Sequence, residues 1–114
     1  MKILRIFDSK LELNLDIYVG ENAQDNWNII DISSQNDIWF HLDNKPSSHV
    51  ILCIPESNNK INKQTILYCA SICKQHSKFS NHKNIPIIYT EIKNISKGID
   101  IGSVYTKKIK RVHL

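Results

Sequence analysis

The side chains of this 114-residue chain that could do chemistry fall into two sets. Cys69, Cys73 and His76 are spaced four and three residues apart, so on a helix they share one side and could supply three of zinc's four ligands. His41 and His49 flank Ser47 and Ser48, a grouping that could supply a nucleophile and its base. Each set has a plainer reading. The zinc set needs a fourth ligand from Cys53 or a remote histidine, and its cysteines lie mid-way along an apolar arc, where packing accounts for them. The serines lack a G-x-S-x-G elbow and any orienting acid beyond Asp37 or Asp43, so a structural network at a turn is the stronger reading. With glycine at positions 20, 98 and 102 alone, neither G-x-x-x-x-G-K nor G-x-G-x-x-G occurs. The expectation is a chain with no catalysis of its own, no metal and no cofactor.

A different chemistry is written in the charges. Residues 1–57 hold four bases, one of them Lys45, against nine acids, a net of −5, whereas residues 58–114 hold eleven bases against two acids, a net of +9. That asymmetry suits a polyanion-binding face on an otherwise solvated molecule. Scattered surface lysines of no special use are the plain alternative. The candidate phosphate contacts are Lys63, Lys74 and Lys78 on one helix and Lys107, Lys108, Lys110 and Arg111 near the C-terminus. Arginine, the residue best fitted to bidentate base recognition, occurs only at Arg5 and Arg111, so backbone and shape recognition is expected.

The elements that must position these groups follow from periodicity. Residues 3–7 and 15–19 read as a strand hairpin, and 21–32 as a short helix opened by an acid. In DIWFHLDNKPSSHVIL, residues 37–52, a strand would point Ile38, Phe40 and Leu42 one way and Trp39 and His41 the other. The run 49–54 reads as a central strand buried on both faces. Helices on both faces of the sheet would make Trp39 core. An open face would make it a stacking platform beside His41. Residues 61–79 form the clearest helix, with Tyr68, Cys69, Ile72, Cys73 and His76 on its apolar arc and its lysines opposite. ESNNK is read as a loop, 86–92 as a strand, 94–102 as a loop, and 103–114 as a final hairpin turning at Lys107 and Lys108.

One domain over residues 1–114 is expected, because a chain of this length buries roughly two thirds of its unfolded surface in a single core. The class is α+β, a mostly antiparallel sheet with two helices. Nothing approaches the ~18 consecutive apolar residues of a membrane span, and residues 1–7 lack a secretory signal's apolar stretch. An intracellular, cytoplasmic address and three reduced cysteines are therefore expected.

Five segments in order, DIYVGENAQDN, DIWFHLDNKPSSHVIL, CASICKQHS, IPIIYTEIKNISK and IGSVYTKKIKRVHL, resemble the NFACT-R domain, the RNA-binding module of the NFACT proteins of ribosome-associated quality control. The signature D-x-W-F-H stands here at Asp37, Trp39, Phe40 and His41, followed by S-S-H-V at residues 47–50. The chain is most similar to the short eukaryotic members named for a coiled coil, whose charged tail has no counterpart in these residues. The resemblance implies an α+β fold and binding of RNA, with transfer or ribosomal RNA as the expected class and a link to translation. DNA, or an acidic protein partner met by an adaptor, is the alternative. His41, Lys45, Ser47 and His49 would then place polar donors on a rim beside the lysines, with Ser48 and Trp39 next to them.

Overall fold

The structure, a computed structural model, describes residues 1–55 and 61–114; the loop expected at ESNNK lies outside them. β1 (Lys2–Asp8) and β2 (Leu13–Val19) form the expected hairpin, and β3 (Ile38–Leu42), β4 (Val50–Leu52) and β5 (Pro86–Glu91) follow where the apolar runs stood. With β8 (Lys110–His113) they make one six-stranded sheet, order β1-β2-β4-β3-β5-β8, in which every described pairing is antiparallel.

Strand alternation sorts the core into two layers. Leu15, Ile17, Val19, Phe40, Leu42, Val50, Leu52 and Ile87 face α2 (Lys63–Gln75). Trp39, Ile51 and Ile88 point the other way, toward Ile29 of α1 (Ala23–Asp31) and Ile92. The apolar runs of β4 are thus buried on both faces, as the sequence indicates. The class is α+β in three layers, with a helix on each side of the sheet.

Each helix starts on a side-chain cap. Asn22 accepts the Asp25 N–H at 2.8 Å, and Asn62 accepts the Gln64 N–H at 2.9 Å. The start of α2 is also pinned by Asp8, whose carboxylate accepts from Lys10 N, Leu11 N, Asn62 N and Thr65 Oγ1 at 2.7–3.0 Å. From there α2 crosses the sheet to the 43–48 turn, where the Cys73 thiol reaches the Ser48 carbonyl.

The C-terminal half departs from expectation. Residues 103–114 do not close on themselves. β7 (Val104–Thr106) pairs with β6 (Ile95–Lys97) in a separate two-stranded hairpin, preceded by a 3-10 turn over Ile92–Asn94, while β8 turns away to pair with β5. The segment expected as loop therefore contributes a strand. Two side-chain bonds hold this arrangement: Thr90 Oγ1 is within 3.2 Å of both the Lys107 and Lys108 carbonyls, and Asn94 Nδ2 donates to Thr90 Oγ1 at 3.0 Å. α2 is also shorter than the expected 61–79. Its buried face is Thr65, Cys69, Ala70, Ile72 and Cys73, while Tyr68 and His76 are exposed.

Candidate nucleic-acid interface

The D-x-W-F-H segment is a scaffold before it is a site. Asp37 is buried and spends its carboxylate on backbone, accepting from Ser34 N and Ile54 N at 2.8 Å each. Trp39 is 1 % exposed, so it cannot receive a base; the open-face reading of the sequence is corrected by α1 and the β6–β7 hairpin, which cover that side. Its indole N–H donates to His49 Nδ1 at 3.1 Å. Because Nδ1 accepts, the neutral His49 ring carries its proton on Nε2. Burial, and next the neighbouring His41, press its pKa down to about 3, against a backbone hydrogen bond at Gly102. His41 is half-buried, stacked on Trp39 at 5.6 Å with a 5° interplanar angle and edge-on to His49 at 5.1 Å. Its Nδ1–H donates to the Leu42 carbonyl at 2.6 Å, and burial lowers its pKa too.

Two clefts lie either side of the 43–48 turn. One, of about 550 Å³, runs between the sheet and the β6–β7 hairpin, lined by His41, Ile88, Lys45, Pro46, Val104 and Ile109 among others. The second, of about 610 Å³, lies between the start of α1 and the end of α2, lined by Pro46, Ser47, Ser48, His76, Lys78 and Phe79 with residues of α1. Lys45 Nζ sits 5.3 Å over the Phe79 ring. Ser47 Oγ accepts the Leu42 N–H at 3.2 Å, lies 3.1 Å from the Ser48 carbonyl and 3.4 Å from Cys73 Sγ. His49 faces the opposite side of the sheet, so the serine–histidine couple weighed in the sequence is not assembled. Cys69 and Cys73 are buried, their thiols pushed up by desolvation, Cys73 to about 12, while exposed His76 lies 2.9 Å from the Ile72 carbonyl through Nδ1. The three do not converge as ligands.

The basic residues are partly brought together. Lys74 Nζ donates to the Leu114 carbonyl at 3.0 Å, drawing it from α2 to the end of β8. Arg111 binds Asp43 through Nε and a terminal nitrogen, both at 3.0 Å, which ties β8 to the turn that carries Lys45. Lys108 and Lys110 line one further pocket beside Tyr89 and Glu91, and Lys107 is exposed next to them. Strand alternation sends Lys110 to the face of Tyr89 and Arg111 to the face of Ile88. Lys63 stands apart, at the start of α2 near the β1–β2 turn. An edge strand such as β8 also gains from charge alone, which discourages pairing with other chains.

Residues 4–107 match the family model described as the NFACT protein RNA binding domain. The chain belongs to that family. It is similar to Coiled-coil domain-containing protein 25 of Danio rerio, 32% identical over 103 residues that cover 86% of this chain and 50% of that protein. It is also similar to the Rqc2 homolog RqcH of Bacillus subtilis, 32% identical over 84 residues, 73% of this chain and 14% of that one. The chain thus spans about half the length of the first of these relatives. The C-terminal part of the fibronectin/fibrinogen-binding protein from Streptococcus suis shares the fold, with a TM-score of 0.81 at 20% identity, covering 100% of this chain and 45% of that one.

Several residues that shape this NFACT RNA binding domain escape a reading of the sequence. Asn26 accepts the His49 N–H at 3.1 Å, and a Cβ at Gly20 would collide with the Asn26 amide, so glycine is what lets α1 close on β4. Gly102 has φ +88°, and a Cβ there would meet Ala23 at 2.9–3.1 Å. Trp27 fastens the same loop to α1, its indole N–H donating to the Ser103 carbonyl at 2.8 Å. A glycine within a loop was the one visible signal.

Proposed function

We propose that this chain is a non-catalytic RNA-binding module that holds transfer or ribosomal RNA by its backbone, in a setting linked to translation and ribosome-associated quality control. What supports the reading is the match over residues 4–107 to a family described as RNA binding. The likeness to the Rqc2 homolog RqcH supports the setting. On the chain itself, cations far apart in sequence lie along β8 and around the 43–48 turn, joined by the Lys74–Leu114, Arg111–Asp43 and Lys45–Phe79 contacts. Lys78, Lys107, Lys108 and Lys110 are exposed and make no ion pair with a described residue, so their charge is available to phosphate. Ser47, Ser48 and the neutral His41 line the flanking clefts, and His49 and Trp39 act behind them as support. Lys63, at the far corner, contributes long-range attraction only.

The test is a mobility-shift titration with transfer RNA. Lys45→Glu with Lys78→Glu, and Lys107→Glu with Lys108→Glu, should each weaken binding more than tenfold, and all four together should abolish it with the circular dichroism unchanged. Undiminished binding by the fourfold variant would remove the reading.

A further inference from the structure

The cleft under the β6–β7 hairpin is open to solvent and large enough to admit a small molecule. Its volume of about 550 Å³ falls within the ~300–1,000 Å³ of such sites. The hairpin that roofs it is fastened on purpose-built contacts: the Trp27–Ser103 bond, the Lys97–Asp31 ion pair at 2.7 Å, and Gly102 against Ala23. Inside, the walls are apolar at Ile88, Val104 and Ile109. One wall is aromatic. Trp39 covers one side of the His41 imidazole in a near-parallel stack, His49 meets it edge-on, and the remaining surface of His41 lines the cleft. The ring has no freedom to leave, because its Nδ1–H is committed to the Leu42 carbonyl. At the rim stand Lys45, on the turn, whose ammonium rests over Phe79 and must swing across to meet a phosphate here, and Asp43 with its Arg111 partner.

A neutral aromatic platform in an open cleft with apolar walls at Ile88, Val104 and Ile109, and with Lys45 and the Asp43–Arg111 pair at the mouth, fits a flat heteroaromatic ring that carries its negative charge outside the cleft. We infer that this cleft takes one unpaired nucleobase, stacked on His41 as the third ring of the Trp39–His41 stack, with the attached phosphate toward Lys45. The inference rests on the RNA-binding reading above and adds to it a single-strand element. Phosphate contacts along β8 fix the strand, and insertion of one base favours unpaired segments over duplex.

The direct test records the Trp39 indole N–H signal by NMR during titration with each of the four nucleoside 5′-monophosphates and, separately, with ribose 5-phosphate. At least one mononucleotide should move the signal in a saturable manner, and ribose 5-phosphate should not. Thr106→Trp places a large ring at an exposed residue on the cleft lip and should abolish the shift. Should that variant not fold, His41→Ala removes the platform and should do the same. The companion measurement compares a single-stranded uridine oligomer with a duplex, for which Thr106→Trp should lower single-strand affinity about tenfold, the effect of one stacked base, and leave duplex affinity unchanged. The inference is overturned if no mononucleotide moves the Trp39 signal, if ribose 5-phosphate moves it equally, or if the shift survives both variants. Transfer-RNA binding that persists through those results would leave the backbone-binding proposal standing, whereas its loss in the Lys107→Glu with Lys108→Glu variant concerns that proposal alone.

Discussion

The indole N–H of Trp39 donates to Nδ1 of His49 across 3.1 Å, joining β3 to the residue that leads into β4 inside a closed core. Trp39→Phe would retain much of the buried volume but leave an imidazole nitrogen without a donor. A loss of about 1–3 kcal/mol is expected, since an orphaned buried polar atom forfeits its solvation. Urea unfolding should show a lower midpoint at unchanged slope.

The same imidazole predicts a pH dependence. His49 is pressed to about 3 in the fold, below its ordinary value of 6.5, chiefly by burial, and His41 is shifted the same way. As pH falls through 6.5 the unfolded chain takes up protons that the folded chain refuses. Stability is therefore complete above about pH 6.5 and declines toward pH 3, by roughly 2–3 kcal/mol at pH 4.5 from His49. His49→Gln should flatten the slope of unfolding free energy between pH 4.5 and 6.5. An unchanged slope would show that His49 does not carry it.

Asp8, fully buried, gathers four donors from the β1–β2 turn and the start of α2. Asp8→Ala strands those donors and should cost about 3 kcal/mol, whereas Thr65→Val removes one bond and should cost about 1 kcal/mol. Thermal unfolding of the two variants side by side reads the difference.

Gly102→Ala meets both a positive φ and the Ala23 backbone, so the 98–103 loop must lift from α1 or strain. A stability loss of about 1–3 kcal/mol is expected. Amide hydrogen exchange should rise in β6–β7 and remain unchanged in β1–β2. Uniform acceleration across the sheet would instead indicate global destabilisation.

Salt should separate the cations by position. For a single-stranded RNA, each phosphate contact contributes about −0.7 to the slope of log affinity against log salt. Lys107→Gln with Lys108→Gln should reduce the magnitude of the slope by about 1.4, and Lys63→Gln, at the distant corner, should leave it unchanged. Equal effects from both would mean diffuse attraction without a located interface.

Strand existence was legible where the apolar pattern alternated or ran unbroken, as in β3 and β4, because burial on one or both faces writes itself into residue type. α2 was legible from its 3.6-residue arc, although the arc placed Tyr68 and His76 inside, whereas Tyr68 lies outside the buried face of Thr65, Cys69, Ala70, Ile72 and Cys73, and His76 is the exposed C-cap. The last twelve residues were misread for a physical reason. KKIKR looks like a hairpin turn locally, yet β5 and β6 each offer an unpaired edge, and hydrogen bonds to those edges outweigh a tight local closure.

What the residues alone determined is the class of fold, the surplus of cations in the second half and the D-x-W-F-H signature, each a property of residue type and short-range spacing. The tertiary structure decided how they are used. Whether Trp39 faces solvent depends on what covers the second face of the sheet, and that is set by α1 and a hairpin anchored at Gly102, far away in the chain. Which lysines become neighbours depends on strand order, since β8 reaches the 43–48 turn only by pairing with β5 and binding Asp43 through Arg111. Such pairings are long-range contacts whose partners no local pattern specifies.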